Sequence, residues 1–196
     1  MIRMVITVVI IGILTLPITS QAQTPEAAPP PANIDLPLVA QDTNTWCWLA
    51  VIEMILRTRQ AQPPRQCEII EAWDHHPPGT CCNDLRQCAR GGIDLHEIAR
   101  ILEQFGGIYT RYSQVIPPNA LYNLLSTGLP VIAQIYERSV GTHAVIIRGL
   151  RFERDHSRTQ GWQPIVIVND PKRCEPREIS YADFVTSWMD SLVVER

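Results

Sequence analysis

Apolar residues recur at helical spacing in three stretches of the first two thirds of the chain. Residues 46–58, 94–105 and 118–126 place apolar side chains three or four positions apart, which is the period of an amphipathic helix. Asn44 and Thr45 are residue types that cap helix starts, and they precede the first stretch. Glycines follow the other two stretches, as they commonly do where a helix ends. The pattern therefore predicts three helices in this part of the chain.

The last third of the chain has short, continuous apolar runs instead. Residues 129–136, 143–152 and 162–169 are rich in apolar and β-branched side chains, as is typical of buried strands. The polar stretch 153–161 predicts a hairpin between the last two runs. A short helix over 181–190 and a final strand complete the prediction. Helices that precede an antiparallel sheet indicate the α+β class.

Two stretches show no regular period. Residues 60–92 are polar and rich in proline, glycine and cysteine, so we expect an irregular, loop-rich lobe. Residues 23–36 contain four prolines among alanines, which predicts an extended linker or a loose N-terminal arm. Because nothing suggests an internal repeat or a second domain, residues 37–196 are expected to form one domain.

The first 22 residues have the features of a signal peptide. Arg3 precedes an apolar run over residues 4–16, and the small residues Ser20 and Ala22 follow at the spacing that a signal peptidase recognises. The alternative is an uncleaved membrane anchor, but the run is shorter than the roughly 20 apolar residues that a spanning helix needs. We therefore expect cleavage after Ala22, export to the periplasm or the medium, and no stable membrane anchor.

The charge of the chain argues against nucleic acid as a partner. The formal net charge is -3 and the isoelectric point is about 5.9, and the Lys and Arg residues are scattered rather than clustered. A hydrophobic content of 45% is ordinary for a globular protein, and we expect a monomer.

The chain has six cysteines, and export permits disulfide bonds between them. We expect Cys67 to pair with Cys81 or Cys82, and Cys88 to pair with the other, which leaves Cys174. A zinc site is the alternative, but the spacing of its candidate ligands fits no usual zinc pattern. These candidates are His75, His76, Cys81, Cys82 and Cys88. The sequence therefore predicts disulfides and no metal site.

Cys47, His143 and Asp170 are the candidate residues for catalysis by a cysteine nucleophile. Cys47 falls in the first turn of the first predicted helix, where the helix dipole favours a thiolate. His143 opens one predicted strand and Asp170 ends the next. If these strands pair antiparallel, Asp170 lies beside His143 and can orient its imidazole. Gln41 precedes Cys47 by six residues, so its amide can join the Cys47 backbone N–H as an oxyanion hole.

The order of these motifs resembles the papain-like cysteine peptidases. The motifs are Gln-x5-Cys-Trp from Gln41, a histidine that opens a strand, and an Asp-Pro pair at Asp170 that ends the next strand. The resemblance covers roughly residues 38–172. The sequence is more similar to the compact bacterial branch, which uses Asp-Pro and includes bacteriocin-leader peptidases and secreted effector proteases, than to papain itself.

The resemblance implies a fold in which a helical N-terminal half packs on an antiparallel β-sheet. It also implies hydrolysis of peptide bonds through a thioester acyl-enzyme. Cys47 would be the nucleophile, His143 the general base and acid, Asp170 the group that orients His143, and Gln41 the oxyanion donor. We expect a peptide or polypeptide substrate and no cofactor.

The sequence departs from the family pattern and leaves alternatives open. The Cys-Gly-Ser-Cys-Trp signature of plant and lysosomal papains is absent, because Asn44, Thr45 and Trp46 precede the cysteine. Asn169 is an alternative to Asp170, and only one of the two should face His143, since side chains alternate along a strand. A cell-wall peptide amidase or transpeptidase on the same fold and a non-catalytic binding module are the alternative functions.

Overall fold

The computed structural model describes residues 27–139, 141–154, 161–173 and 175–195. The predicted signal peptide, the first residues of the predicted arm, the middle of the predicted hairpin and Cys174 lie outside the described residues. The boundaries predicted for the signal peptide, the arm and the single domain therefore stay predictions.

The three helices predicted from the helical spacing of apolar residues are confirmed. The α-helices are α1 (Cys47–Arg57), α2 (Gln66–Trp73), α3 (Thr80–Asn83), α4 (Leu95–Gly106), α5 (Pro118–Ser126) and α6 (Tyr181–Phe184). Asp94 caps α4 by accepting a hydrogen bond from the Glu97 N–H, and Gly107 ends it in the left-handed conformation. The expected cap of α1 is wrong: Trp46 occupies the N-cap position, and no side chain caps the helix.

The expectation of an irregular lobe over residues 60–92 is wrong in part, because it missed three short helical elements between the loops. This stretch contains α2, α3 and a single 3₁₀ turn at Leu85–Cys88. Two disulfides hold these short elements together, one between Cys67 and Cys82 and one between Cys81 and Cys88. The Glu71 carboxylate adds three bonds, since it accepts from the backbone N–H groups of Gly79, Cys81 and Cys82. The disulfide pairing agrees with one of the two arrangements expected from the sequence.

Within the described residues, seven strands form one antiparallel sheet. They are β1 (Ala32–Asn33), β2 (Thr110–Ser113), β3 (Val131–Glu137), β4 (Gly141–Arg154), β5 (Trp162–Asn169), β6 (Arg177–Ser180) and β7 (Trp188–Val194). The order across the sheet is β2-β7-β3-β4-β5-β6, and β1 pairs with β4. The α+β class is therefore confirmed, with helices packed against an antiparallel sheet. The predicted helix over 181–190 is too long, because β7 already begins at Trp188.

The long strand β4 organises the sheet. Its first half pairs with β3, and its second half pairs with β5 and β1. Ala32 lies opposite Leu150, and the Ile34 N–H donates to the Arg148 carbonyl. Ala32 and Asn33 of the predicted loose arm are therefore part of the sheet, and Ile34 is bonded to it.

The sheet buries both of its faces. On one face Ile132, Ala144 and Ile146 pack in a cluster with α1, α2 and α4. On the other face Val131, Ala133 and Val145 pack in a cluster with α5 and α6. Because consecutive strand residues point to opposite faces, the apolar runs of β3 and β4 supply both cores. Among the described residues, no helix is long and apolar enough to cross a membrane.

Candidate active site

Cys47 lies at the N-terminus of α1, where this helix meets β4. Every residue of α1 except Arg57 is buried, and Cys47 itself is 8% exposed. Cys47 lines a small pocket together with Trp48, His143 and Ala144, so its sulfur lies beside the His143 side chain. Among the described residues, Cys47 is the cysteine that is not in a disulfide. The helix therefore presents this buried thiol to the start of the central strand β4.

His143 and Asp170 form a buried pair beside this thiol. His143 lies near the start of β4, opposite Ile135 of β3, and Asp170 directly follows β5. The His143 Nε2 atom is 2.8 Å from the Asp170 Oδ1 atom, and both side chains are almost inaccessible to solvent. Asp170 Oδ1 also accepts a hydrogen bond of 3.0 Å from the Lys172 backbone N–H. The carboxylate can thus hold the imidazole in one orientation.

Asn169 points away from His143. Its Nδ2 atom donates to the carbonyls of Leu36 at 3.1 Å and Pro37 at 3.3 Å, on the α1 side of the sheet. Asp170, the residue that follows β5, is instead the one whose carboxylate bonds to His143. The geometry therefore favours Asp170 over Asn169 as the partner of His143.

The three groups shift one another's pKa values. Burial would raise the pKa of the Cys47 thiol, but its hydrogen bonds with His143 and with the Ala144 and Trp48 N–H groups outweigh burial and lower it. Burial would lower the pKa of His143, but its bonds with Asp170 and Cys47 raise it to about 9. Burial also opposes ionisation of Asp170, yet the bond with His143 lowers the pKa of this carboxyl. All three shifts favour a thiolate beside an imidazolium.

Gln41 lies in a loop that touches the Asp170 turn. The Gln41 backbone N–H donates to the Pro171 carbonyl at 3.0 Å, which places this loop directly beside Asp170. The Gln41 Nε2 atom donates to the Thr43 carbonyl at 2.7 Å. A primary amide carries two N–H groups, so this bond uses only one of them. Gln41 is therefore near the site, with an amide that retains donor capacity.

A small pocket adjoins Cys47 and His143 on the α1 side of the sheet. It lies between α1, α4 and strands β3 and β4, and its other lining residues are Trp48, Gly92, Ile93, Leu95, Ile98, Gln134, Thr142 and Ala144. Sequence reasoning missed Gln134, although it is the one polar residue between Val131 and Ile135 of a buried strand. Such an isolated polar residue in an apolar strand is a signal that could have identified it.

In the part of the chain that the structure describes, two groups of side chains have the residue types of metal ligands, but members of each group already have other partners. One oxygen of Glu137, one ring nitrogen of His143 and one oxygen of Asp170 lie within 4.8 Å of one another. His143 and Asp170 are bonded to each other, and Glu137 forms an ion pair with Lys172. In the second group, around His76, the two cysteines are joined in the Cys81–Cys88 disulfide. These residues fit a hydrogen-bonded pair and a disulfide better than a metal centre.

Comparison with known proteins gives one family and a common fold. Residues 31–189 match the family model described as papain-like cysteine protease AvrRpt2. No curated protein matches the chain.

Two solved structures share the fold at low sequence identity. The peptidase domain of Streptococcus ComA, a bi-functional ABC transporter involved in a quorum sensing pathway, is 12% identical with a TM-score of 0.53; the match covers 80% of this chain and 96% of that domain. A putative C39-like peptidase from Bacillus anthracis is 11% identical with a TM-score of 0.56, covering 86% of this chain and 99% of the other.

Proposed function

The chain belongs to the family of the papain-like cysteine protease AvrRpt2, and from this premise we propose that Cys47, His143, Asp170 and Gln41 are its catalytic residues. The protein is a papain-like cysteine peptidase, and its substrates are peptides or polypeptides. The observation that carries the assignment is the buried chain of contacts from Cys47 to His143 and from His143 to Asp170.

The proposed reaction begins with attack of the Cys47 thiolate on the carbonyl carbon of the scissile peptide bond. The new C–S bond places a negative charge on the carbonyl oxygen, which the Cys47 backbone N–H and the Gln41 amide stabilise. The imidazolium of His143 gives its proton to the leaving amine as the C–N bond breaks. The products of this half-reaction are a thioester on Cys47 and a free amine.

Water completes the cycle. His143, now neutral, takes a proton from a water molecule, whose oxygen attacks the thioester carbonyl. Collapse of the second tetrahedral intermediate breaks the C–S bond, releases a carboxylic acid and restores the thiolate and the imidazolium. Asp170 remains ionised throughout, because its task is to orient His143 and stabilise its charged form.

We propose further that the protein is exported. The signal-peptide features of residues 1–22 support this proposal, and so do the Cys67–Cys82 and Cys81–Cys88 disulfides, since such bonds persist in oxidising compartments. Measuring the amount of mature protein in the periplasmic fraction and in the culture medium distinguishes a periplasmic from an extracellular protein.

Labelling of the thiol tests the assignment of the nucleophile. We expect iodoacetamide to alkylate Cys47 and abolish cleavage of casein, with the labelled residue identified by peptide mass spectrometry. Cys47→Ala should be inactive, whereas Cys174→Ser, the matched control, should keep its activity. Alkylation of Cys174 with Cys47 untouched would contradict the proposal. Release of soluble muropeptides from purified sacculi, without casein cleavage, would instead favour the cell-wall reaction.

A further inference from the structure

Gln66 is a buried polar side chain next to the candidate active site. It is the first residue of α2, in the stretch that the sequence pattern did not predict as helical, and it is only 1% exposed. Its Nε2 atom donates to the Ala40 carbonyl at 2.8 Å, and its Oε1 atom accepts from the Asp42 backbone N–H at 2.9 Å. One side-chain amide therefore holds the residues on both sides of Gln41.

The arrangement imitates a neighbouring β-strand. A strand would offer one acceptor and one donor to the backbone of the loop, and the Gln66 amide offers the same pair to Ala40 and Asp42. On the opposite side, the Gln41 N–H is bonded to the Pro171 carbonyl of the turn that carries Asp170. The backbone of Gln41 is thus fixed from two directions, by α2 and by the Asp170 turn.

Glu53 determines the orientation of the Gln66 amide. Glu53 is buried in α1, where its Oε1 atom pairs with Arg57 at 2.6 Å and its Oε2 atom accepts from the Gln66 Nε2 atom at 3.1 Å. A carboxylate and a carbonyl are both acceptors, so only the nitrogen end of the amide can face Glu53 and Ala40. Both N–H groups of Gln66 are then used, and its oxygen is left to meet the Asp42 N–H.

We infer that Gln66 is a positioning residue for the oxyanion hole, which it serves by holding Gln41 where the Gln41 amide meets the developing oxyanion. This inference rests on the proposed role of Gln41. Gln66 does not contact the reacting atoms itself; it acts through the backbone of the loop. An oxyanion donor must sit within hydrogen-bond distance of a charge that exists only in the transition state, so a small displacement of the loop lowers kcat more than it changes KM.

A double-mutant cycle tests the inference. Gln41→Ala alone should lower kcat by roughly 10²–10³-fold, as expected when one oxyanion donor is lost. Gln66→Leu should lower kcat by about 10- to 100-fold, with KM changed little, because a displaced catalytic group has an effect of that order. In the double variant, Gln66→Leu should cost little more than Gln41→Ala alone, since both changes remove the same interaction.

The matched control is Gln60→Leu. Gln60 also donates its side-chain amide to a backbone carbonyl, that of Phe105 at 2.7 Å, but this bond lies outside the Gln41 loop. Gln60→Leu should therefore leave kcat within about twofold of that of the parent protein. The rate of Cys47 alkylation measures the reactivity of the thiolate and does not depend on the oxyanion hole. This rate should therefore be unchanged in each Gln41, Gln66 and Gln60 variant that folds.

The outcomes separate the inference from the function on which it rests. If Gln41→Ala leaves kcat unchanged, the proposed oxyanion role of Gln41 fails, and the positioning role fails with it. If Gln41→Ala lowers kcat but Gln66→Leu does not, or does so equally with and without Gln41, only the positioning role is overturned. Should Gln66→Leu not fold, Glu53→Gln is the milder substitute, because it weakens the hydrogen bond that orients the Gln66 amide. The inference then requires Glu53→Gln to lower kcat in the protein that has Gln41 and not in the Gln41→Ala variant.

Discussion

At the scale of single residues, the charge state of the Cys47 and His143 pair governs the expected activity. Contact with His143 outweighs burial and lowers the pKa of the Cys47 thiol from its ordinary value of 9.0. Contacts with Asp170 and then Cys47 outweigh burial and raise the pKa of the His143 imidazole to about 9. The thiolate and the imidazolium therefore coexist at pH values between the lowered Cys47 pKa and the raised His143 pKa. Because the two groups are coupled, a titration reports values that belong to the pair.

The pH profile distinguishes Asp170 from Asn169. We expect kcat/KM to rise as Cys47 loses its proton and to fall near pH 9 as His143 loses its own. Asp170→Asn removes the carboxylate that raises the His143 pKa, so the alkaline limb should move to lower pH and activity should drop. Asn169→Ala, the matched change at the neighbouring residue that bonds Leu36 and Pro37, should leave the alkaline limb in place. An alkaline limb that shifts with Asn169→Ala and not with Asp170→Asn would reverse the assignment.

At the scale of elements, the N-terminal segment supports the fold. Strand β1 pairs with β4 at Gly149 and Leu150, and Leu36, 4% exposed, packs in the core cluster of α1. The carbonyls of Leu36 and Pro37 also accept the hydrogen bonds of Asn169. This segment precedes Gln41 in the chain, so its contacts fix the backbone from which the Gln41 loop begins.

Substitution of Leu36 tests whether the segment is structural or inhibitory. Leu36→Ala should lower the free energy of unfolding by about 2–5 kcal/mol, because it leaves a cavity in a packed core. Exposed Asp35 is the matched control, and Asp35→Ala should change stability by no more than about 0.5 kcal/mol. Urea denaturation followed by tryptophan fluorescence gives both values. If the segment were an inhibitor that covers the cleft, Leu36→Ala would instead increase peptidase activity at unchanged stability.

At the scale of the whole molecule, the disulfide-linked lobe of residues 66–88 should make the stability of the candidate site depend on whether the compartment is oxidising. Cys67 directly follows Gln66 in α2, and its disulfide with Cys82 ties this helix to α3. Cys81 and Cys88 close a shorter loop within the same lobe. An exported protein keeps these bonds, whereas a protein in a reducing compartment loses them. The lobe that holds Gln41 in place should therefore be fully stable only after oxidation.

Removal of each disulfide tests this connection. The Cys67–Cys82 bond has a sequence separation of 15, and losing it by Cys67→Ser with Cys82→Ser should cost about 3 kcal/mol of unfolding free energy. The bond from Cys81 to Cys88 has a sequence separation of 7, and the corresponding pair of serines should cost less. We also expect the first pair to lower kcat more, since it lies next to Gln66. A kcat equal to that of the parent protein in both double variants would show that the lobe does not act on the site.

The sequence by itself determined the features that depend on local pattern. Apolar side chains at the helical period predicted α1, α4 and α5, since burial of one helix face requires that spacing. Apolar runs predicted β3, β4 and β5, because strands covered on both faces have no polar side. The order of short motifs also predicted Cys47 and His143 as candidate site residues, and it left Asn169 open as an alternative to Asp170.

Only the tertiary structure decided the features that depend on partners far apart in the chain. Helix α2 was missed because its stability comes from a disulfide and from the buried bonds of Gln66 rather than from its own periodicity. The choice of Asp170 over Asn169 required the actual pairing of β5 with β4, since a shift by one residue exchanges the faces of a strand. The buried bonds of Gln66 and the place of Gln134 in the pocket were likewise not predicted, because the partners of an amide side chain come from residues far away in the sequence.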